Sequence, residues 1–207
     1  MTILQREAIV GVLLAGGRSQ RLGGGDKCLK TLGKTTLLAR AQERAGGQVG
    51  ELILSANGDH GRFRAAGLPV VADLDLGHGG PLAGLLSAMV WTAAMRPAAS
   101  HVATFATDTP FFPRDLVARF CAALSTAECA VAQSGGRAHP AFGLWPVLLH
   151  RPLRDFLDGG ERRAGDWASA QKARPVSFDT GPDDLFFNVN TPDDLAAAAA
   201  MAARLSD

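Results

Sequence analysis

Two cations set among glycines are the first residues in this sequence whose types and spacing could do chemistry. Arg21 and Lys27 flank Gly23-Gly24-Gly25, with Ala15-Gly16-Gly17 just upstream. Glycines leave backbone N–H groups uncovered and so form a concavity for anions. A lysine beside them brings a mobile full charge suited to phosphate. A flexible turn would use the same glycines, but the interleaved Arg21 and Lys27 favour a phosphate cradle. Further on, Asp108 directly follows the apolar run from His101 to Thr107. A carboxylate there either supplies the hard oxygen that Mg²⁺ takes beside phosphates or caps a turn before Pro110; the residues alone leave both open. Asn188 and Asn190 alternate with Phe187 and Val189, so in a strand both amides share one face. Capping explains Thr191 to Asp194 but not these two amides, which point to a ligand or metal on that face. Arg162 and Arg163, in a loop behind Gly159-Gly160, offer a second phosphate site or a solvated surface pair.

These groups need elements to carry them. Ile9 to Leu14 has the length and composition of a fully buried strand. The glycine loop therefore lies at a strand's carboxyl end, where open α/β sheets bind ligands. It is not a Walker A loop, because Cys28 stands where the opening glycine of Gly33-Lys34-Thr35 would have to be. Nor is it the dinucleotide fingerprint, which fails at the same cysteine. Thr35 to Ala45 reads as a helix stopped by Gly46-Gly47, and Glu51 to Ala56 and Leu68 to Ala72 as strands. Pro81 suits the first position of a helix with Leu82, Leu85, Leu86, Met89 and Ala93 as its apolar stripe. Its N-terminus, behind Gly77-His78-Gly79-Gly80, is an anion or base-edge site or a plain helix start. His101 to Thr107 reads as a central strand and Pro113 to Ser125 as a helix. Cys129 to Gln133 and Ala141 to Trp145 look like strands joined by a loop from Ser134 to Pro140, in which His139-Pro140 reads as a turn. Val147 to Leu157 is an amphipathic helix and Val176 to Phe178 an edge strand. Thr191 caps a helix that starts at Pro192, takes Asp193 and Asp194 in its first turn, and runs to Leu205. The alternation predicts the α/β class: a mostly parallel sheet with helices on both faces and one irregular half. No linker or repeat divides it, so a single domain over 1–207 is expected.

Composition narrows the function classes. The 207 residues are 47% hydrophobic and 20% charged with a net charge of +1, which gives no global field toward nucleic acid or membranes. No run has the length of a membrane span, and MTILQREAIV lacks the apolar segment of a signal peptide. Three cysteines, Cys28, Cys121 and Cys129, with no C-x-x-C spacing predict reduced thiols and a cytoplasmic protein. The five histidines are scattered with no metal-ligand spacing.

The pattern L-A-G-G-x-x-x-R-[LM]-G-G-x-D-K-x-L, from Leu14 to Leu29, resembles the signature of the molybdenum cofactor guanylyltransferases, within the nucleotidyltransferase superfamily. Further blocks agree: Asp73, Gly80-Pro81-Leu82-Ala83-Gly84, Asp108-Thr109-Pro110-Phe111, residues 159–163, and Asn188-Val189-Asn190-Thr191-Pro192-Asp193-Asp194-Leu195. The resemblance implies a Rossmann-like nucleotidyltransferase fold. It implies transfer of GMP from GTP to the terminal phosphate of molybdopterin, with or without molybdenum, and release of pyrophosphate. Mg²⁺ would be the cofactor, with Asp108 as its ligand and Lys27 and Arg21 as catalytic cations. Leu14, Ala15, Gly16, Gly17, Lys27, Asn57, Asp73, Gly80, Pro81, Leu82 and Asp108 would surround the nucleotide. Asn188, Asn190, Arg162 and Arg163 would lie on the pterin side. Proteins of molybdoenzyme assembly are the further partners it implies. One departure is Ser55, where the family often carries Asn. A phosphate monoester is already an anionic nucleophile, so no Ser–His or Cys–His constellation is required, and none is evident. Three other readings remain: cytidylyl transfer to the same pterin, against which Gly16 and the Gly-Gly-x-Asp-Lys spacing speak; a sugar-1-phosphate nucleotidyltransferase; and a nucleotide-binding adaptor for molybdoenzyme assembly without turnover, which would have no need of Lys27 and Asp108.

Overall fold

The computed structural model describes residues 4–16, 24–74, 80–124, 128–178, 181 and 183–205. Gly17, Arg21, Gly23 and the Gly77-His78-Gly79 run lie outside them. The chain begins with strand β1 (Ile9–Leu14), buried along its whole length. Its side chains alternate between two cores, as a strand's period of two requires. Ile9 and Leu13 enter one apolar cluster, and Val10, Val12 and Leu14 the other. Gly11 has no room for a side chain, since a Cβ there would meet Leu52 at 2.8 Å and Val49 at 2.9 Å.

A small hairpin, β2 (Thr31–Leu32) and β3 (Thr35–Thr36), turns at Gly33 in a left-handed conformation. Thr36 then caps helix α1 (Leu37–Gly46) by accepting from the Ala39 N–H. The helix therefore starts two residues later than the sequence predicts, because Thr35 and Thr36 pair in the hairpin. Strands β4 (Glu51–Ser55) and β5 (Val70–Val71) follow, then helix α2 (Pro81–Met95), strand β6 (His101–Ala106) and helix α3 (Leu116–Ala123). Residues 82–89 of α2 are buried all round rather than along one stripe. The predicted loop from Ser134 to Pro140 is not a loop. Strands β7 (Ala130–Ser134) and β8 (Arg137–Pro146) meet across Gly135 and Gly136, both at positive φ, so the turn needs only two residues. Helix α4 (His150–Asp158), helix α5 (Ala164–Ala170), edge strand β9 (Arg174–Ser177) and helix α6 (Pro192–Leu205) complete the order. The sequence reading did not foresee α5.

The main sheet has seven strands in the order β5-β4-β1-β6-β8-β7-β9. Only β8 runs against the others. From β1 the chain builds outward to β4 and β5, then returns to place β6 on the other side. That reversal opens a crevice beyond the carboxyl ends of β1 and β6, the place where such sheets receive ligands. Because β8 is antiparallel, its first residues reach the same rim. Among the described residues, no helix is long and apolar enough to cross a membrane.

Candidate active site

A cleft of about 580 Å³ occupies that crevice. The end of β1 gives it Leu14 and Gly16, the end of β4 gives Ser55 and Asn57, and the end of β6 gives Asp108 and Thr109. Thr107 ties β1 to β6 beneath it, its hydroxyl donating to the Leu14 carbonyl at 2.9 Å.

Lys27 is bound to three of the lining residues without lining the cleft itself. It opens a single 3-10 turn, Lys27–Leu29, anchored by the buried Cys28. Its ammonium donates to Asp108 Oδ2 at 2.5 Å, to Asn190 Oδ1 at 2.6 Å and to Asn188 Oδ1 at 3.2 Å. Four residues singled out from the sequence thus converge on one atom. The segment bearing the two amides is not a strand, as the alternation predicts, but irregular chain. It is held by the Val189 N–H, which donates to the Asp108 carbonyl at 2.8 Å, and by the burial of Val189 against α6. One backbone bond does the work of a sheet ladder, so the amides still face the same way. Just beyond, Asp194 accepts from the N–H groups of Asn190 and Thr191, both at 2.8 Å, and the Thr191 hydroxyl accepts from the Asp194 N–H at 3.1 Å. This reciprocal cap joins the amide segment to α6. The backbone hydrogen bond from Asn190 is the leading reason that the Asp194 carboxyl sits below its ordinary value.

On the β4 side, Asp73 is oriented on both carboxylate oxygens. Ser55 Oγ donates to Oδ1 at 3.1 Å and Asn57 Nδ2 to Oδ2 at 2.8 Å, while Asn57 Oδ1 accepts from the Asp73 N–H. Ser55 thereby orients Asp73 although it lacks an amide. Gly80 and Pro81 reach the cleft from the start of α2, and Gly80 holds a φ of 103°, closed to other residues at low cost. Gly84 lets α2 lie against these strand ends, since a Cβ would stand 2.6 Å from Ser55 Oγ and 2.9 Å from Leu14.

The two loops are laced together by Arg62. Its Nε donates to Asp26 Oδ2 at 2.5 Å and its Nη2 to Asp26 Oδ1 at 3.3 Å and to the Asn57 carbonyl at 2.5 Å. Asp26 precedes Lys27, and Asn57 braces Asp73, so one guanidinium holds the lysine turn against the carboxylate wall. Sequence reasoning missed Arg62, whose partners are a side chain 36 positions away and the backbone carbonyls of Asn57 and Asp59.

Opposite Asp73, the cleft is walled by Arg137 to Phe142 at the start of β8. Register slips between Val131 and Ala132, where Val131 pairs with Gly143 but Ala132 with His139. The intervening residues bend toward the cleft. His139-Pro140 is therefore wall rather than turn. The signal for it was the Gly-Gly pair between two apolar runs, which marks a tight hairpin.

Other predicted residues lie elsewhere. Ala15 is buried and its N–H donates to the Ser55 carbonyl. Leu82 is packed in the core and does not line the cleft. Arg162 donates to the carbonyls of Leu157 and Glu161, serving the loop before α5. Arg163 is exposed and outside the cleft lining, which takes Ala164 instead. Gly17 and Arg21 are outside the described residues. Cys28 is no nucleophile, since burial pushes its thiol up to about 12.

The profile of the MobA-like NTP transferase domain matches residues 11–174. The chain belongs to that family. Over 206 residues it is 45% identical to the molybdenum cofactor guanylyltransferase of Bradyrhizobium sp. (strain ORS 278), a match covering 98% of this chain and 97% of that protein. The crystal structure of a Mycobacterium tuberculosis Rv0371c homologue from Mycobacterium sp. strain JC1 superposes with a TM-score of 0.74 at 26% identity, covering 97% of this chain and all of that one. Rv0371c of Mycobacterium tuberculosis, solved in complex with manganese, shares the fold with a TM-score of 0.67 at 22% identity, covering 93% of this chain and 97% of that one. The matched region runs from the third residue of β1 to the first residue of β9 and includes Lys27, Asp73 and Asp108. The amide segment and α6 lie beyond it but within the guanylyltransferase likeness.

Proposed function

We propose that the chain transfers GMP from GTP to the terminal phosphate of molybdopterin and releases pyrophosphate. The observation that carries this reading is the Lys27 ammonium held by Asp108, Asn188 and Asn190 at the rim between β1 and β6. A full positive charge is fixed where two anions must be brought in line.

The nucleotide lies on the β4 side, where Asp73 faces the cleft. A carboxylate whose oxygens keep free lone pairs suits the neighbouring N1–H and N2–H donors of guanine, whereas cytosine presents only its exocyclic amine. The acceptor lies on the β8 side, and its phosphate oxygen is already ionised, so no side chain need remove a proton. Lys27 offsets charge on the α-phosphate, and Arg21 is assigned to the departing pyrophosphate.

The residues also fit a divalent cation, Mg²⁺ in this reading. Asp108 lines the cleft with Oδ1 in only a 3.4 Å contact from the Thr109 hydroxyl, and the two amide oxygens lie about the same centre. These are hard oxygen donors of the kind Mg²⁺ shares with substrate phosphates. When bound, the cation neutralises charge on the phosphates being separated. The free cysteines Cys28, Cys121 and Cys129 support a cytoplasmic setting, where proteins of molybdoenzyme assembly would receive the product.

The test is pyrophosphate release by the purified protein with molybdopterin and either GTP or CTP. Turnover with GTP is expected; preference for CTP, or nucleotide binding without turnover, would overturn the assignment.

A further inference from the structure

The cleft has a charge imbalance that Lys27 does not cure. Asp73, Asp108 and Asp184 line it, and Lys27 is already matched to Asp108. Among the described lining residues, the one Lys or Arg is Arg137. No hydrogen bond or ion pair engages its guanidinium among the described residues. A cleft that must admit two phosphorylated substrates therefore presents a single uncommitted cation on its described wall, and that cation lies across Asp108 from Asp73.

Its presentation is built rather than incidental. Arg137 is the first residue after the Gly135-Gly136 turn and pairs with Ser134 across the hairpin. Two positions on, and so on the same face of the strand, His139 is fixed twice. Its Nε2 shares a 2.7 Å hydrogen bond with the Ser134 hydroxyl, and its ring stacks on Phe186 at 4.4 Å between centroids and 9° between planes. Burial holds the His139 pKa below its ordinary value against the opposing pull of the Asp184 carboxylate, with a smaller push from Arg137, so Arg137 is the cation on this wall. The turn, the hydroxyl bridge and the stack together hold the arginine at the rim.

We infer that Arg137 is the acceptor-side phosphate clamp: it binds the phosphate monoester of the second substrate and sets its approach to the nucleotide. This rests on the reading of the β8 side as the acceptor side. A guanidinium meets two phosphate oxygens at once, which fixes orientation as well as charge.

The experiment compares Arg137→Ala and Arg137→Lys with the parent in steady-state pyrophosphate release, varying molybdopterin at saturating GTP and then GTP at saturating molybdopterin. Arg137→Ala is expected to raise the KM for molybdopterin by about 10- to 100-fold and to leave the KM for GTP within about twofold. Arg137→Lys should recover part of the loss, and the salt dependence of the molybdopterin KM should flatten in the alanine variant. The residue is exposed at a hairpin tip, so melting temperature should not move. An unchanged molybdopterin KM, or an equal rise in the KM for GTP, would overturn the assignment while leaving the activity in place. A parent protein silent with GTP and molybdopterin would overturn the activity itself, and this clamp with it.

Discussion

At the scale of single residues, the site depends on one charge and its surroundings. Lys27→Ala removes the donor shared by Asp108, Asn188 and Asn190. The rate of GMP transfer should fall by about 10²–10³, the usual loss for one stabiliser of transition-state charge, while circular dichroism stays native. Turnover near the parental rate in a folded variant would remove Lys27 from the chemistry. Asp108→Asn keeps the shape but not the charge, and should shift the Mg²⁺ titration of activity to higher concentration; superimposable titrations would exclude it as a ligand. Cys28 gives a different readout. Burial raises its thiol from 9.0 to about 12, so the folded chain keeps a proton that the unfolded chain gives up. The stabilisation is whole below about pH 9 and is lost as pH rises from there toward 12. The gap in melting temperature between parent and Cys28→Ala should therefore narrow between pH 8 and pH 11, and thiol reagents at pH 8 should reach the half-buried Cys121 before Cys28 or Cys129. The residue types at this scale were legible from the sequence, because Lys27, Asp108 and the Asn188–Asn190 pair each break a local pattern. Their meeting at one nitrogen was not, since the partners lie 81 to 163 positions away.

At the scale of elements, two packing devices hold the walls. Gly84 seats α2 on the ends of β1 and β4. Gly84→Ala should cost about 1–3 kcal/mol as an overpacked contact, with a rise in the KM for GTP because Ser55 is the atom displaced. Parental stability would mean the helix shifts freely there. Arg62 spans the lysine turn and the Asn57 loop, and Arg62→Ala should lower kcat by between about 10- and 100-fold through misplacement of Lys27. Arg62→Lys should stay impaired because it lacks the fork; full rescue by lysine would reduce the role to charge alone. Apart from the small β2–β3 hairpin, the strands and helices up to β6 were readable from their periodicity. Both strands of the β7–β8 hairpin were legible, but the first residues of β8, Arg137 to Pro140, read as loop because the turn is only Gly135-Gly136. Helix α5 escaped notice because it is seven residues long and holds Gly165. The local bonds of Arg162 were not legible either, because its carbonyl partners have no sequence signature.

At the scale of the whole molecule, the antiparallel entry of β8 brings the second half of the chain to the rim that the first half prepares. The order β5-β4-β1-β6 forms the wall with Asp73, β8 forms the wall with Arg137, and α6 docks the amides between them through Val189, Ala198, Met201 and Ala202. That last contact has a consequence in time. Lys27 and Asn190 are separated by 163 residues. At about 5–20 residues per second of synthesis, one exists for about 8 to 30 s before the other. A chain still on the ribosome can shape its Asp73 wall and expose its lysine, yet it has no amides to hold that lysine in place. The cluster about Lys27 is complete only when residue 190 has been added and Val189 has closed onto Asp108.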